Sequence, residues 1–378
     1  MKTRLRHPES RRGIALVLVM LTIIILSAIV GSLALAMSTE IRLARNTEYD
    51  AQMEWLGRSG IELARYALAN KCPEQKSIDA LNQFWAGGTS PCSNDVQNIP
   101  LKNVPLGPGV ISVTITDMER KWNINLVASP RNPQKEILQK ALAEVGVTDA
   151  EQSSTIIDSI IDWINPNETA GFSGAKSDYY LHLNPPYYCK NGWIDDISEL
   201  LLIKGVTPEI YWGSNSTNHP VSAYQQHGGG GFTGPAASQV GAGFLNADRP
   251  LYPVGLVDLF GALGGPLNIN TASLKTLQLI PGIDEAIAAR ILQQRQGPDG
   301  QDGTDDDVPF MPGEAIEGIP PAIQGGANQG GAGYGYRSYV FEVKVEAQIN
   351  DYKRTFTGIV SRGGGGGQQI NCVKFYWE

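Results

Sequence analysis

Histidine is scarce in this chain: His7, His182, His219 and His227 stand far apart in 378 residues. Its four cysteines, Cys72, Cys92, Cys189 and Cys372, form no Cys-x-x-Cys pair and no Cys/His cluster, so no zinc-type ligand set is spelled out. No nucleophile–base constellation is legible either, which weighs against an enzyme. Net positive charge is also missing. A formal charge of −8 makes a poor nucleic-acid binder and is compatible with cation binding. The most informative absence is local: no charged residue occurs between Arg12 and Glu40.

That charge-free run is apolar from Ile14 to Met37, long enough to cross a hydrocarbon core of about 30 Å as a helix. The segment before it is short and basic, with Lys2, Arg4, Arg6, Arg11 and Arg12 against Glu9. Basic residues on that side predict a cytoplasmic N-terminus. A plain signal anchor fits the same facts, and Ala34-Leu35-Ala36 fits a signal-peptidase site. However, the run from Ile14 to Val30 exceeds the usual apolar region of a signal peptide. Past the run, the helical pattern continues from Ser38 to about Asn70. Met53, Leu56, Gly57, Gly60, Ile61, Ala64 and Leu68 recur at spacings of three and four as one stripe. The stripe suits a stem that packs on its own globular domain, and an ordinary amphipathic helix has the same pattern.

A basic leader ending in glycine, a spanning helix and an unbroken amphipathic stem together resemble type IV prepilins and type II secretion pseudopilins. The resemblance implies that a prepilin peptidase cuts after Gly13 and that Ile14 is the first mature residue. Loss of the leader, with five basic residues and one acid, takes the charge from −8 to −12. Most of those proteins carry Glu at the fifth mature position, where Leu18 stands here. An unpaired carboxylate inside a bilayer is expensive, and in the family it meets the amine of a neighbouring subunit. An apolar residue there resembles the K-type minor pseudopilins, whose place is the filament tip.

Residues Val110–Asp117 alternate with β-branched residues and predict a strand, with Trp122–Leu126 expected to pair with it across a turn at Asp117–Lys121. Tyr339–Ala347, a turn at Asn350-Asp351 and Arg354–Ser361 predict a half-buried antiparallel hairpin. Helical spacing recurs between these regions in Gln134–Glu144, Ala150–Ile164, Ile197–Lys204, Ser273–Leu279 and Asp284–Gln294. The expected fold is therefore α+β. A transmembrane and stem helix packs on a small antiparallel pilin-type sheet, with a large α-helical domain inserted between the strands. The expected boundaries are 1–13 leader, 14–37 transmembrane, 38–70 stem, 71–128 first part of the pilin-like domain, 129–335 helical insert and 336–378 C-terminal strands. Gln225–Gly243, Gln324–Gly335 and Gly363–Gly367 are Gly-rich and read as mobile loops. All four cysteines follow the membrane run, so an oxidising periplasm and disulfides are expected. Cys72 and Cys92 bracket a loop whose closure would stabilise by roughly 3 kcal/mol. A second pair, Cys189–Cys372, is expected to tie the helical insert to the C-terminal strand.

Two acidic stretches stand out. Asp158–Glu168 runs into Gly174-Ala175-Lys176-Ser177-Asp178-Tyr179-Tyr180. A similar stretch in the K-type family is associated with calcium, which takes six to eight oxygen ligands on irregular loops. The resemblance implies Asp162, Asn167, Glu168 and Asp178 as ligands, although Lys176 and Ser177 stand where the family tends to have acids. A solvated helix face describes the same carboxylates. In Gly297–Asp307 aspartates alternate with glycines, and Asp299, Asp302, Asp305 and Asp307 are a second candidate calcium set, without EF-hand spacing. The alternative there is a solvated acidic linker. Leu277–Ile291 resembles a helix-hairpin-helix or SAM-like unit, and Leu201–Tyr211 is a weaker copy. Asp284 and Glu285 stand where phosphate-binding versions offer free backbone amides, so packing is favoured over nucleic acid.

The resemblance implies a minor pseudopilin of type II protein secretion in the inner membrane, single-pass, with its C-terminal domain periplasmic. It would initiate or cap the pseudopilus. Its partners would be minor pseudopilins I and J and prepilin peptidase, with secretin or cargo as further contacts and no nucleic acid. The stripe Met53–Leu68 is the expected helix–helix contact. Two other readings stay open: a minor pilin of a type IV pilus, and a secreted calcium-dependent binding module beginning near Met37. Gly13→Val is expected to leave the full-length precursor uncut in the membrane. Immunoblotting with N-terminal sequencing checks this, and normal processing would end the prepilin reading.

Overall fold

The computed structural model describes residues 12–70, 75–88, 100–213, 254–314, 316, 333–363 and 369–377. One helix, α1 (Arg12–Ala69), carries both the charge-free run and the stem. Its window Ala15–Ile41 has a mean hydropathy of 2.8 and the length to cross a membrane, and none of it is buried against the rest of the chain. The second half of α1 is packed. Met53, Leu56, Ile61, Ala64 and Leu68 are all buried.

After α1 come β1 (Val104–Leu106) and β2 (Gly109–Asp117). The chain then enters a helical domain. It begins with β3 (Trp122–Asn123) and the single turn α2 (Ile124–Val127), followed by α3 (Lys135–Val145) and α4 (Ala150–Ile164). Gly146, at φ 106°, ends α3 in the left-handed conformation that glycine tolerates best. Asp149 caps α4 by accepting the Gln152 N–H. Then come α5 (Ser177–Tyr180), a 3₁₀ segment (Ile197–Leu202), α6 (Pro208–Trp212), α7 (Leu256–Leu259), β4 (Phe260–Gly261), β5 (Leu267–Asn268), α8 (Leu274–Gln278), α9 (Glu285–Arg295) and β6 (Tyr334–Gly335). Their shared core includes Trp122, Ile137, Leu142, Ile160, Trp163 and Leu277.

The chain returns as β7 (Val340–Ile349), β8 (Tyr352–Arg362) and β9 (Ile370–Trp377). The sheet order is β1-β2-β7-β8-β9, with every neighbouring pair antiparallel. Burial alternates along β2 and β7, as a sheet covered on one face requires. Val113 lies opposite Val345, and Val345 opposite Phe356, so one row of side chains runs across the three central strands. The stem lies on this row. Its two glycines permit the approach: a Cβ on Gly57 would fall 2.5 Å from the Phe356 ring, and one on Gly60 would fall 2.4 Å from Val345.

The helical insert between β2 and β7 is as expected, and its core starts earlier than residue 129, at Trp122. Several expectations need correction. Trp122–Leu126 does not fold back on β2. Met118–Arg120 forms a 3₁₀ turn, Trp122–Asn123 pairs parallel with Phe260–Gly261, and Ile124 starts a helical turn. Ile197–Leu202 is 3₁₀ rather than α. The expected C-terminal strand at Cys372 is β9, and its limits, Ile370–Trp377, were not given by the sequence pattern. The stripe Met53–Leu68 is buried against the chain's own sheet, so it is not free for a neighbouring helix. Cys189 and Cys372 are free thiols rather than a pair. Cys189 is buried in the helical core with its Sγ 3.8 Å from the Asp162 carbonyl, whereas Cys372 lies exposed on the edge strand β9. Cys72–Cys92 lies outside the described residues, as do most of the Gly-rich stretches.

Gly60→Val is expected to lower the stability of the folded domain by about 1–3 kcal/mol, since the added atoms overpack the row under the stem. Gly31→Ala, with no heavy atom within 4 Å of its would-be Cβ, should leave melting unchanged. Thermal unfolding of both variants in detergent checks this.

Candidate functional site

The first acidic stretch sits where α4 ends. Asp158 and Asp162 lie one turn apart and point toward the loop that follows. Asp162 is buried, and its Oδ2 accepts the Gly171 N–H at 2.9 Å. Asp158 accepts the Ser173 N–H at 3.3 Å and pairs with Lys135 at 2.9 Å. The loop can close this far because Gly174 has no side chain: a Cβ there would fall 1.9 Å from Asp162 Oδ2. Burial pushes the Asp162 carboxyl above its ordinary range, against the pull of the Gly171 N–H and of Lys176. Asn167, Glu168 and Asp178 are exposed, and Glu168 accepts from Asn191 Nδ2 at 2.6 Å. Trp163 and Tyr180 meet edge to face at 5.3 Å beneath the loop.

The second stretch wraps back on α9. Buried Arg295 grips Asp302 with Nε at 3.0 Å and an Nη at 2.9 Å, and donates to the carbonyls of Ile269 and Ala272. Asp306 takes the Thr304 hydroxyl at 2.7 Å and the Asp299 N–H at 3.0 Å. Asp307 takes the Gly303 N–H at 2.7 Å. The hydroxyl of Thr304 holds the Asp306 carboxyl below its ordinary range, while burial pushes that of Asp307 up. Asp299 and Asp305 are exposed. Among the described residues, no three Asp, Glu, His or Cys side chains converge as a metal-ligand group.

A third site was not legible in the sequence. It lies where the sheet meets the helical domain. Asp117, at the end of β2, accepts from Asn268 Nδ2, the hydroxyls of Thr271 and Ser338, and the Glu119 N–H. Glu119 accepts the Gly265 N–H at 2.6 Å and the Tyr339 N–H at 2.8 Å. Asp79 is paired with Arg362 at 2.8 Å, both fully enclosed, and accepts the Ser338 N–H. Arg362 also donates to the carbonyls of Ser338 and Leu68. Burial raises the Asp117 carboxyl from about 3.8 to about 6. Burial, then the adjacent Asp117, raises Glu119 from 4.5 to about 8.

The processing residues Gly13 and Ile14 fall in the first turn of α1. Leu18 is exposed on the uncovered half of the same helix. The pseudo-repeat around Leu277–Ile291 folds as α8, a turn with Gly282 at φ 80°, and α9. Lys140 donates to the carbonyls of Gln278, Ile280 and Ile283 and so binds this turn to α3. Asp284 caps α9 by accepting the Ile287 N–H.

Comparison with known proteins gives a consistent picture. Residues 120–213 match the family model for type II secretion system protein K. A type II secretion system protein K of Pseudomonas aeruginosa is 23% identical over 367 residues, covering 94% of this chain and 90% of its own length. A putative protein K of Escherichia coli K12 is 25% identical over 215 residues. That alignment spans 54% of this chain and about 60% of the relative. A chain in the crystal structure of the GspK–GspI–GspJ complex from enterotoxigenic E. coli superposes with a TM-score of 0.58. It covers 89% of this chain and 99% of that one at 18% identity, a likeness of fold.

The raised carboxyls set a pH dependence. A carboxyl with a higher pKa folded than unfolded holds more protons in the fold, so its contribution is complete below the unfolded pKa and is lost as pH rises toward the folded one. For Glu119 that window runs from 4.5 to about 8. The chain should therefore lose stability from pH 5 to 8, and Glu119→Gln should flatten that slope by up to about 1 kcal/mol per pH unit. Denaturant unfolding of both chains across the range checks this. Equal slopes would mean that Glu119 does not titrate there.

Proposed function

We propose that this chain, which is similar to type II secretion system protein K sequences, works as a minor pseudopilin at the tip of the secretion pseudopilus. The observation that carries the reading is the division of labour along α1. One face of its stem half, Met53–Leu68, packs on the chain's own sheet, and its apolar half, Ala15–Ile41, is not buried against the described residues. Such a helix is built to be buried twice, first in a bilayer and then among other subunits. The match of residues 120–213 to the type II secretion system protein K family model supports this reading of the domain carried on the anchor.

Leader removal by prepilin peptidase after Gly13 would leave Ile14 at the mature end. The anchor would sit in the inner membrane with a cytoplasmic N-terminus and a periplasmic C-terminal domain. Minor pseudopilins I and J are the proposed partners. The Met53–Leu68 stripe is occupied, so partner helices would meet the opposite side of the stem, where Trp55 is 72% exposed. The helical insert would face outward at the tip, toward secretin or cargo. Its hairpin-like units serve packing in this reading: the Ile280–Ile283 turn is tied inward by Lys140, and a carboxylate already caps the α9 terminus. The role is structural and mechanical rather than catalytic.

Leu18 provides the test. A tip subunit has no further subunit to supply an amine, so Leu18→Glu would bury an unpaired carboxylate. The variant is expected to reduce pseudopilus initiation and secretion, measured by filament counts and exported cargo in cells lacking the native copy. Better assembly than wild type would place the subunit elsewhere in the filament.

A further inference from the structure

Lys176 is a charged residue only 4% exposed. Its Nζ lies 2.5 Å from the carbonyl oxygen of Asp162, 2.7 Å from that of Asn165 and 2.8 Å from Oδ1 of Asn191. These three acceptors match the three N–H bonds of an ammonium. The surroundings are negative. Asn191 holds Glu168 through its other amide atom, and the Asp162 carboxylate is part of the same α4 end. Two further lysines close the ring: Lys135 pairs with Asp158, and Lys204 donates to the carbonyls of Ser173 and Gly174. Backbone and amide oxygens turned onto one point, beside carboxylates on an irregular loop, form the donor set of a hard cation.

We propose that the Lys176 ammonium is a built-in cation in this cradle, so that the loop following α4 closes without calcium. The residues the resemblance implied as calcium ligands do not fit an added ion here. The carbonyls that would complete its shell are taken by Nζ, Asp162 already accepts the Gly171 N–H, and Asn167 and Asp178 face solvent. A divalent ion at this point would sit against a fixed positive charge. The loop is held by a charge that is part of the chain, so its closure does not depend on the calcium concentration.

The test uses the full chain in detergent, with Asp299→Asn and Asp305→Asn in every sample to silence the other acidic loop. Melting is compared in about 10 mM calcium and in chelator. The Lys176 chain should melt at the same temperature in both. Lys176→Asp, which trades the ammonium for a ligand, should melt lower in chelator and recover by about 3–6 °C in calcium, given a weak extracellular-type site. Lys176→Met should melt lower in both. A calcium-dependent rise in the Lys176 chain would overturn the proposal, and so would a folded Lys176→Asp chain that ignores calcium. Should Lys176→Asp fail to fold, the other two chains decide: indifference to calcium with Lys176 and a loss with Met uphold it, and any other result overturns it.

Discussion

The Arg362–Asp79 pair is the constraint on which the rest of the molecule turns. Both groups are enclosed, and between them they reach the end of the stem, the start of β7 and the end of β8. Removing water from two charges is costly, and the cost is recovered only if the remaining donors and acceptors also find partners. Here they do. Asp117 and Glu119 extend the network into Asn268, Thr271 and Gly265 of the helical domain. Loss of one partner would strand the other, at about 3–5 kcal/mol for a buried pair. Two apolar cores, one under the stem and one in the insert, are thus joined by a polar joint.

The acidic loops follow the same rule at smaller scale. An excess of carboxylates invites an external cation, yet each loop leans on a cation from its own chain. Arg295 holds the second loop by a forked contact to Asp302 and reaches the backbone near Asn270 as well. The guanidinium suits this double task because its donors are planar and fixed.

Much of the fold was legible. Charge silence and period set the limits of α1, alternation set β2, β7 and β8, and helical spacing set α3, α4 and α9 nearly to the residue. What failed did so for physical reasons. Trp122–Leu126 has strand-like residues, but its side chains are needed in the helical core, and tertiary burial overrode local preference. The limits of strand β9, expected only as a C-terminal strand at Cys372, were not legible because it follows a glycine run and its alternation is weak, as suits an edge with one pairing partner. The site was less legible than the fold. Lys176 registered as a departure from pattern, but the carbonyls it gathers are backbone atoms with no letter in the sequence. The joint was invisible for a similar reason: Asp79, Asp117 and Arg362 are distant in the chain, and only the fold makes them neighbours. The expected Cys189–Cys372 pair erred because sequence position says nothing about which domain surface a thiol faces.

The insertion has a mechanical consequence. The chain leaves the sheet at Asp117 and re-enters at Val340, and Asp117 lies opposite Phe341 in the β2–β7 ladder. Both tethers therefore emerge from the same end of two adjacent central strands. A load on the helical domain pulls along these strands together instead of peeling one from the other. It reaches the flanking strands as shear, shared over the many hydrogen bonds of the β7–β8 ladder rather than borne one rung at a time. The geometry suits a domain that can bear load without unravelling the sheet that carries it.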